Sequence, residues 1–144
     1  MFITQSENNA PLKLGIVMSE SKKILIVDDE EDILTYFEAI FNDNGYDTLL
    51  ARDGIKGFEL AKSEKPDLIT LDITMPKQSG LKIYRQLKDH PELKNIPVII
   101  ITAVNDSFKI FIDKLKEVEP PEGILNKPID PQEILKVVRG ILSN

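Results

Sequence analysis

Short apolar runs alternate with amphipathic stretches along most of the chain. Lys23–Val27 (KILIV) is a continuous apolar run with β-branched residues, as a strand buried on both faces would be. Glu31–Asn42 follows with Ile33, Phe37, Ile40 and Phe41 at near-helical spacing, and Gly45 lies just beyond as a stop. Tyr46–Leu50 reads as a second strand. Asp53 can cap a helix running to Ser63, with Ile55, Phe58 and Ala61 on one face. Asp67–Leu71 is a third strand and Leu81–Lys88 a third helix. Pro97–Ile101 (PVIII) is the most β-like run, and Asp106–Val118 is helical with a stripe of Phe108, Phe111, Ile112 and Leu115. The segment Glu119–Gly123 (EPPEG) stops that helix. Gly123–Leu125 makes a short fifth strand, and Asp130 caps a final helix to about Leu142 with Ile134, Val137, Val138 and Ile141 inward. Strand and helix thus alternate five times. That order predicts an α/β fold, a doubly wound five-stranded parallel sheet covered by helices on both faces.

Composition narrows the chemistry. The 144 residues suit one domain, 42% hydrophobic and 29% charged. A net charge of −6 argues against direct nucleic-acid binding, which needs a basic face. The absence of cysteine excludes a disulfide framework, a thiolate metal site and a cysteine nucleophile, and it fits a reducing compartment. His90, the only histidine, precedes Pro91 in a polar stretch and reads as a solvated helix-end residue rather than part of a triad. No segment reaches the roughly 18 apolar residues that span a membrane. The first twenty residues are polar and mixed, and "MSESKKILIVDDE" from Met18 reads like a natural start. Residues 1–20 are therefore expected to be a disordered N-terminal extension and residues 21–144 the domain. A short element docked on the domain is the other reading of that extension.

In an open parallel sheet, ligands bind beyond the carboxyl ends of the strands. The first strand exits into Asp28, Asp29 and Glu30, the third into Asp72, the fourth into Thr102, and the fifth towards Lys127 and Pro128. Two carboxylates about 4 Å apart repel by roughly 4 kcal/mol at an effective dielectric near 20. Clustered acids are costly unless a cation joins them or they take up protons. All-oxygen donors with room for water suit Mg²⁺. A lysine adds a second positive charge and a hydroxyl can bond a phosphoryl oxygen. This donor set is what phosphoryl transfer to a carboxylate requires.

These residues resemble the receiver domain of bacterial response regulators over about residues 22–143. The matching pieces are "ILIVDDE" at Ile24–Glu30, "PDLITLDITMPKQSG" at Pro66–Gly80, "IPVIIITA" at Ile96–Ala103 and "LNKP" at Leu125–Pro128. The resemblance implies a flavodoxin-like sheet of strand order 2-1-3-4-5. It implies that Asp72 accepts a phosphoryl group from the phosphohistidine of a sensor histidine kinase or histidine phosphotransfer protein. Asp29 would ligate Mg²⁺ directly, Asp28 largely through water, and Asp72 and the Thr74 carbonyl would complete the metal site. Thr102 and Lys127 would bind the phosphoryl group. Met75 and Pro76 would shape the loop after the acceptor, Gly80 would open the next helix, and Lys127–Pro128 would be cis. Output would pass to a downstream protein target through the fourth helix, fifth strand and fifth helix, in the cytoplasm, by a stand-alone domain.

Two departures bear on that output. Receivers usually carry an aromatic residue three positions before the lysine, where this chain has Ile124. The usual Gly-Ala before the fifth strand is replaced by Pro120–Pro121. A haloacid-dehalogenase-type phosphatase would need a second aspartate two residues after the nucleophile, where Thr74 stands. A receiver fold kept only as an unphosphorylated binding module is the remaining alternative, with Ile124 in its favour.

Overall fold

The computed structural model describes residues 21–143, apart from 77–78 and 104–105. The expected extension over residues 1–20 lies outside the described residues, as do the side chains of Phe108 and Leu115. Five strands, β1 (Lys23–Val27), β2 (Asp47–Ala51), β3 (Leu68–Asp72), β4 (Val98–Thr102) and β5 (Gly123–Asn126), form one sheet. Its order is β2-β1-β3-β4-β5 and every pairing is parallel. The helices are α1 (Glu31–Asp43), α2 (Gly54–Glu64), α3 (Ser79–Asp89), α4 (Asp106–Lys114) and α5 (Pro131–Leu142).

The three central strands, β1, β3 and β4, are buried on both faces because helices cover both. Ile24, Ile26, Leu68, Ile99 and Ile101 pack with Leu34, Phe37 and Phe41 of α1 and Ile134, Leu135 and Val138 of α5. The alternate residues Leu25, Val27, Ile69, Leu71 and Ile100 face Ala61 of α2, Ile83 and Leu87 of α3 and Phe111 of α4. Period-two side-chain alternation thus divides each apolar run between two cores.

Four expectations are corrected. Ile55 does not share the inward face of α2: it is 76% exposed, and Gly57 and Ala61 face the sheet instead. The helix backbone comes so close at Gly57 that a methyl there would meet Ile83 Cδ1 at 2.9 Å and Val27 Cγ2 at 3.0 Å. Two residues are 200° of helical turn, so Ile55 points away. Ile112 is likewise 40% exposed beside the buried Phe111, and α4 gives way at Leu115 to a 3₁₀ turn ending at Glu117, short of Val118. Asp130 occupies the N-cap of α5 but its side chain makes no capping bond; Pro131 opens the helix. Asp53 does cap α2, accepting from the Lys56 amide at 2.8 Å. His90 sits at the end of α3 with Nδ1 accepting from the Glu92 amide, a turn residue as expected.

Gly80, in the first turn of α3, lies against the backbone of the third strand's end. A side chain there would collide with the Asp72 carbonyl oxygen and Ile73 Cα. Gly140 in α5 has nothing within 4 Å of such a methyl. Gly80→Ala should therefore lower stability in urea unfolding by about 1–3 kcal/mol. Gly140→Ala should raise it by about 0.5–1 kcal/mol through helix propensity alone.

Candidate functional site

The two central strands deliver two acids to one point. Asp28 follows β1 directly and its amide donates to Ala51 O at 3.0 Å, extending the ladder. Asp72 is the last residue of β3. Both are almost fully buried, at 1% and 2% exposure, while the adjacent Asp29 is exposed. Carboxylate oxygens of Asp28, Asp29 and Asp72 lie within 4.8 Å of one another, a group that could hold a metal ion.

Each buried carboxylate has one oxygen held by donors of its own loop, and Asp72 Oδ2 also accepts from Lys127 Nζ at 3.3 Å. Asp28 Oδ1 accepts from the Glu30 amide at 2.9 Å. Asp72 Oδ1 accepts from the Thr74 amide at 2.8 Å and the Thr74 hydroxyl at 2.5 Å. The other two oxygens face Lys127, whose Nζ stands 3.3 Å from Asp28 Oδ2 and 3.3 Å from Asp72 Oδ2. Asp28 Oδ2 nonetheless makes no hydrogen bond, although it is buried. A buried carboxylate oxygen with an ion pair but no well-aligned hydrogen bond, beside two further carboxylates, fits a hard oxygen-seeking divalent cation.

Lys127 reaches the site because the chain stays in sheet register just past β5. Its amide donates to Thr102 O at 2.8 Å, and the Lys127–Pro128 peptide is cis, as the resemblance implies. On α1, the Tyr36 hydroxyl donates to Ile129 O at 3.1 Å, tying down the segment after the lysine. Ile33, Tyr36, Phe37, Pro128 and Ile129, with Asp32 and Lys127, line a mainly apolar cavity of about 560 Å³.

Burial pushes the Asp28 carboxyl up from its ordinary 3.8 to about 6, the Asp72 charge adds to this, and the Glu30 amide and Lys127 oppose it. For Lys127, burial pulls downward, but the Asp72 and Asp28 carboxylates outweigh it and the ammonium is held more firmly protonated than usual.

Asp28, Asp29, Asp72, Thr74 and Lys127 therefore meet. Thr102 ends β4 at the same edge and is fully buried, but its hydroxyl donates to Ala103 O at 2.9 Å, with no hydrogen bond to Asp72. Sequence reasoning overlooked three groups. Glu30 Oε1 lies 3.7 Å from Lys127 Nζ, a role legible in the acidic run after β1. The Thr74 hydroxyl was overlooked in favour of its carbonyl. Tyr36 carries no local signal, since its partner is 93 residues away.

The family model described as the response regulator receiver domain matches residues 24–139. The chain is 37% identical over 123 residues to the alkaline phosphatase synthesis transcriptional regulatory protein PhoP of Bacillus subtilis, covering 85% of this chain. It spans about half of that relative's length, 49%. It is 32% identical over 123 residues to the polar-differentiation response regulator DivK of Brucella anthropi, covering 85% of this chain and 98% of that protein. The structure of the Vibrio cholerae chemotaxis protein CheY4 superposes with a TM-score of 0.75 at 27% identity, over 85% of this chain and 99% of that one.

The folded-state value for Asp28 lies above its unfolded one. In the cation-free protein folding favours the protonated form relative to the unfolded chain, and this group's contribution to stability is lost as pH rises from about 4 to about 6. A cation replaces that proton and binds better once the carboxyl is ionised. Millimolar Mg²⁺ should raise the melting temperature clearly at pH 7.5 and much less at pH 5. Equal shifts at both values would separate cation binding from Asp28.

Proposed function

The chain belongs to the response regulator receiver family, and on that premise we propose that Asp72 is its phosphoacceptor in two-component or phosphorelay signalling. The observation that carries the reading is the Lys127 ammonium standing 3.3 Å from both Asp28 and Asp72. It leaves a nucleophilic carboxylate, a cation-binding acid group and a fixed positive charge at one sheet edge.

In the proposed step an Asp72 carboxylate oxygen bonds to phosphorus as the P–N bond to the donor's phosphohistidine breaks. The electron pair of that bond stays on the ring nitrogen, and the imidazole leaves neutral by taking a proton from water. Asp28, Asp29, Asp72 and the Thr74 carbonyl would hold Mg²⁺, with Asp28 acting largely through water. Bound there, Mg²⁺ would offset the negative charge of the carboxylates and the phosphoryl oxygens. Lys127 supplies a charge-assisted donor to the phosphoryl group. The Thr102 hydroxyl, now on Ala103 O, reaches it only by rotating. The product adds about −1.5 to −2 charge at this edge, enough to bias a two-state loop-and-helix arrangement.

The chain is a signalling module rather than a metabolic enzyme. Thr74 stands where a dehalogenase-type phosphatase needs its acid, and its amide and hydroxyl both donate to Asp72. The donor is a sensor histidine kinase or histidine phosphotransfer protein, and the apolar cavity beside Lys127 supports docking of such a protein. The output goes to a downstream protein target. A cytoplasmic location follows from that role, and no helix among the described residues is long and apolar enough to cross a membrane.

Acetyl phosphate or beryllofluoride with Mg²⁺ should modify the wild-type protein, and Asp72→Ala should give no modified species by intact mass. Lys127→Ala should keep cation binding but lose the conformational response to beryllofluoride, seen as unchanged amide spectra away from the site. A full response in that variant would remove Lys127 from the switch.

A further inference from the structure

Tyr84 of α3 is wholly buried and its hydroxyl donates to Glu119 O at 2.5 Å, in the connector between α4 and β5. Its ring meets Phe111 of α4 edge-on, with centroids 5.7 Å apart. Two neighbours on α3 hold the same connector. Arg85 pairs with Glu117 at 3.4 Å, and Lys88, its side chain only 5% exposed, lies 4.0 Å from Glu122. Glu122 in turn accepts from the Val98 amide of β4 at 2.7 Å. One helix face thus holds residues 117, 119 and 122 at once. Burial, with Glu122 and Glu119 nearby, pushes the Tyr84 hydroxyl up, so it stays a donor throughout the physiological range.

The other end of α3 touches the acid site. Gly80, four residues and about one turn before Tyr84, lies so close to the Asp72 carbonyl and Ile73 Cα that no side chain fits between them. A displacement of the backbone after Asp72 has no slack to absorb it there and must move α3. The connector leads into β5, where Ile124 is 39% exposed and cannot reproduce an inward-swinging aromatic ring.

We propose that Tyr84 is the coupling element of this protein: α3 carries the state of Asp72 to the α4–β5 connector, releasing Glu119 O when Asp72 is modified. The inference rests on Asp72 being the acceptor. It places the switch in a clasp between α3 and the connector, upstream of β5. The connector is the bistable segment because Pro120 and Pro121 have no amide to anchor it, which leaves the carbonyl of Glu119 as its backbone tether to α3, beside the side-chain pairs of Glu117 and Glu122.

The test is amide exchange of the full chain with Mg²⁺, with and without beryllofluoride, in the wild type and in Tyr84→Phe. In the wild type, beryllofluoride should speed exchange at Val118, Glu119 and Glu122 about fivefold, the factor expected for loss of one hydrogen bond. Tyr84→Phe should bind beryllofluoride about fivefold more tightly, because the bond that binding breaks is already absent. Its connector should exchange at the faster rate already, with no further change on binding. A Tyr84→Phe response equal to that of the wild type overturns the clasp while leaving Asp72 as acceptor. Absence of beryllofluoride binding to the wild type overturns the acceptor reading and the clasp with it. Ring-labelled tyrosine spectra of the wild type give a variant-free check: the Tyr84 signal should move on saturation, and an unmoved signal refutes the release.

Discussion

The arrangement depends on like charges held together out of water. Asp28 and Asp72 end adjacent central strands, both almost wholly buried, and neither strand can be shifted without turning its apolar residues to the wrong core. Their repulsion is therefore built into the sheet register and must be met by positive charge. Lys127 meets part of it, brought there by a backbone bond to Thr102 O and by Tyr36 on Ile129 O. Burial, with the Asp72 charge adding to it, still leaves the Asp28 carboxyl raised and its Oδ2 without a hydrogen bond. A site that is under-neutralised at rest is one in which the arrival of a cation has a large effect.

Much of this was legible because a parallel sheet converts sequence position into spatial position. Apolar runs mark strands, and the first polar residue after each run marks the functional edge. That logic put Asp28, Asp72, Thr102 and Lys127 at one sheet edge from their places alone. It put strands β2, β3 and β4 one residue early, since ladder bonds carry on into Ala51, Asp72 and Thr102 after the apolar run has ended. Helix faces were harder. Ile55 looked like a core residue until Gly57 proved to be the point of closest approach, a fact decided by Val27 and Ile83 from other elements. The Thr102 hydroxyl orientation is a local rotamer choice that pattern cannot specify.

The departures from the usual receiver pattern gain meaning together. An isoleucine at position 124 and a double proline before β5 could each be read as loss of a switch. The short α4, the 3₁₀ turn after it, and three α3 side chains gripping the following connector describe a different mechanical linkage. Gly80 is the joint between that linkage and the acid group. On the proposed reading, acceptor chemistry at the strand ends and altered mechanics behind it are compatible, because α3 touches both.

The central claim is that one divalent cation and one phosphoryl-like group share the pocket formed by residues 28, 29, 72 and 127. A crystal grown with Mn²⁺ and beryllofluoride, with anomalous scattering recorded at the manganese edge, addresses it directly. The account predicts a single anomalous peak among the carboxylates of Asp28, Asp29 and Asp72, beryllium on Asp72, and the Lys127 ammonium on a fluorine. A peak elsewhere, or a bare Asp72 with the cation bound, would contradict it.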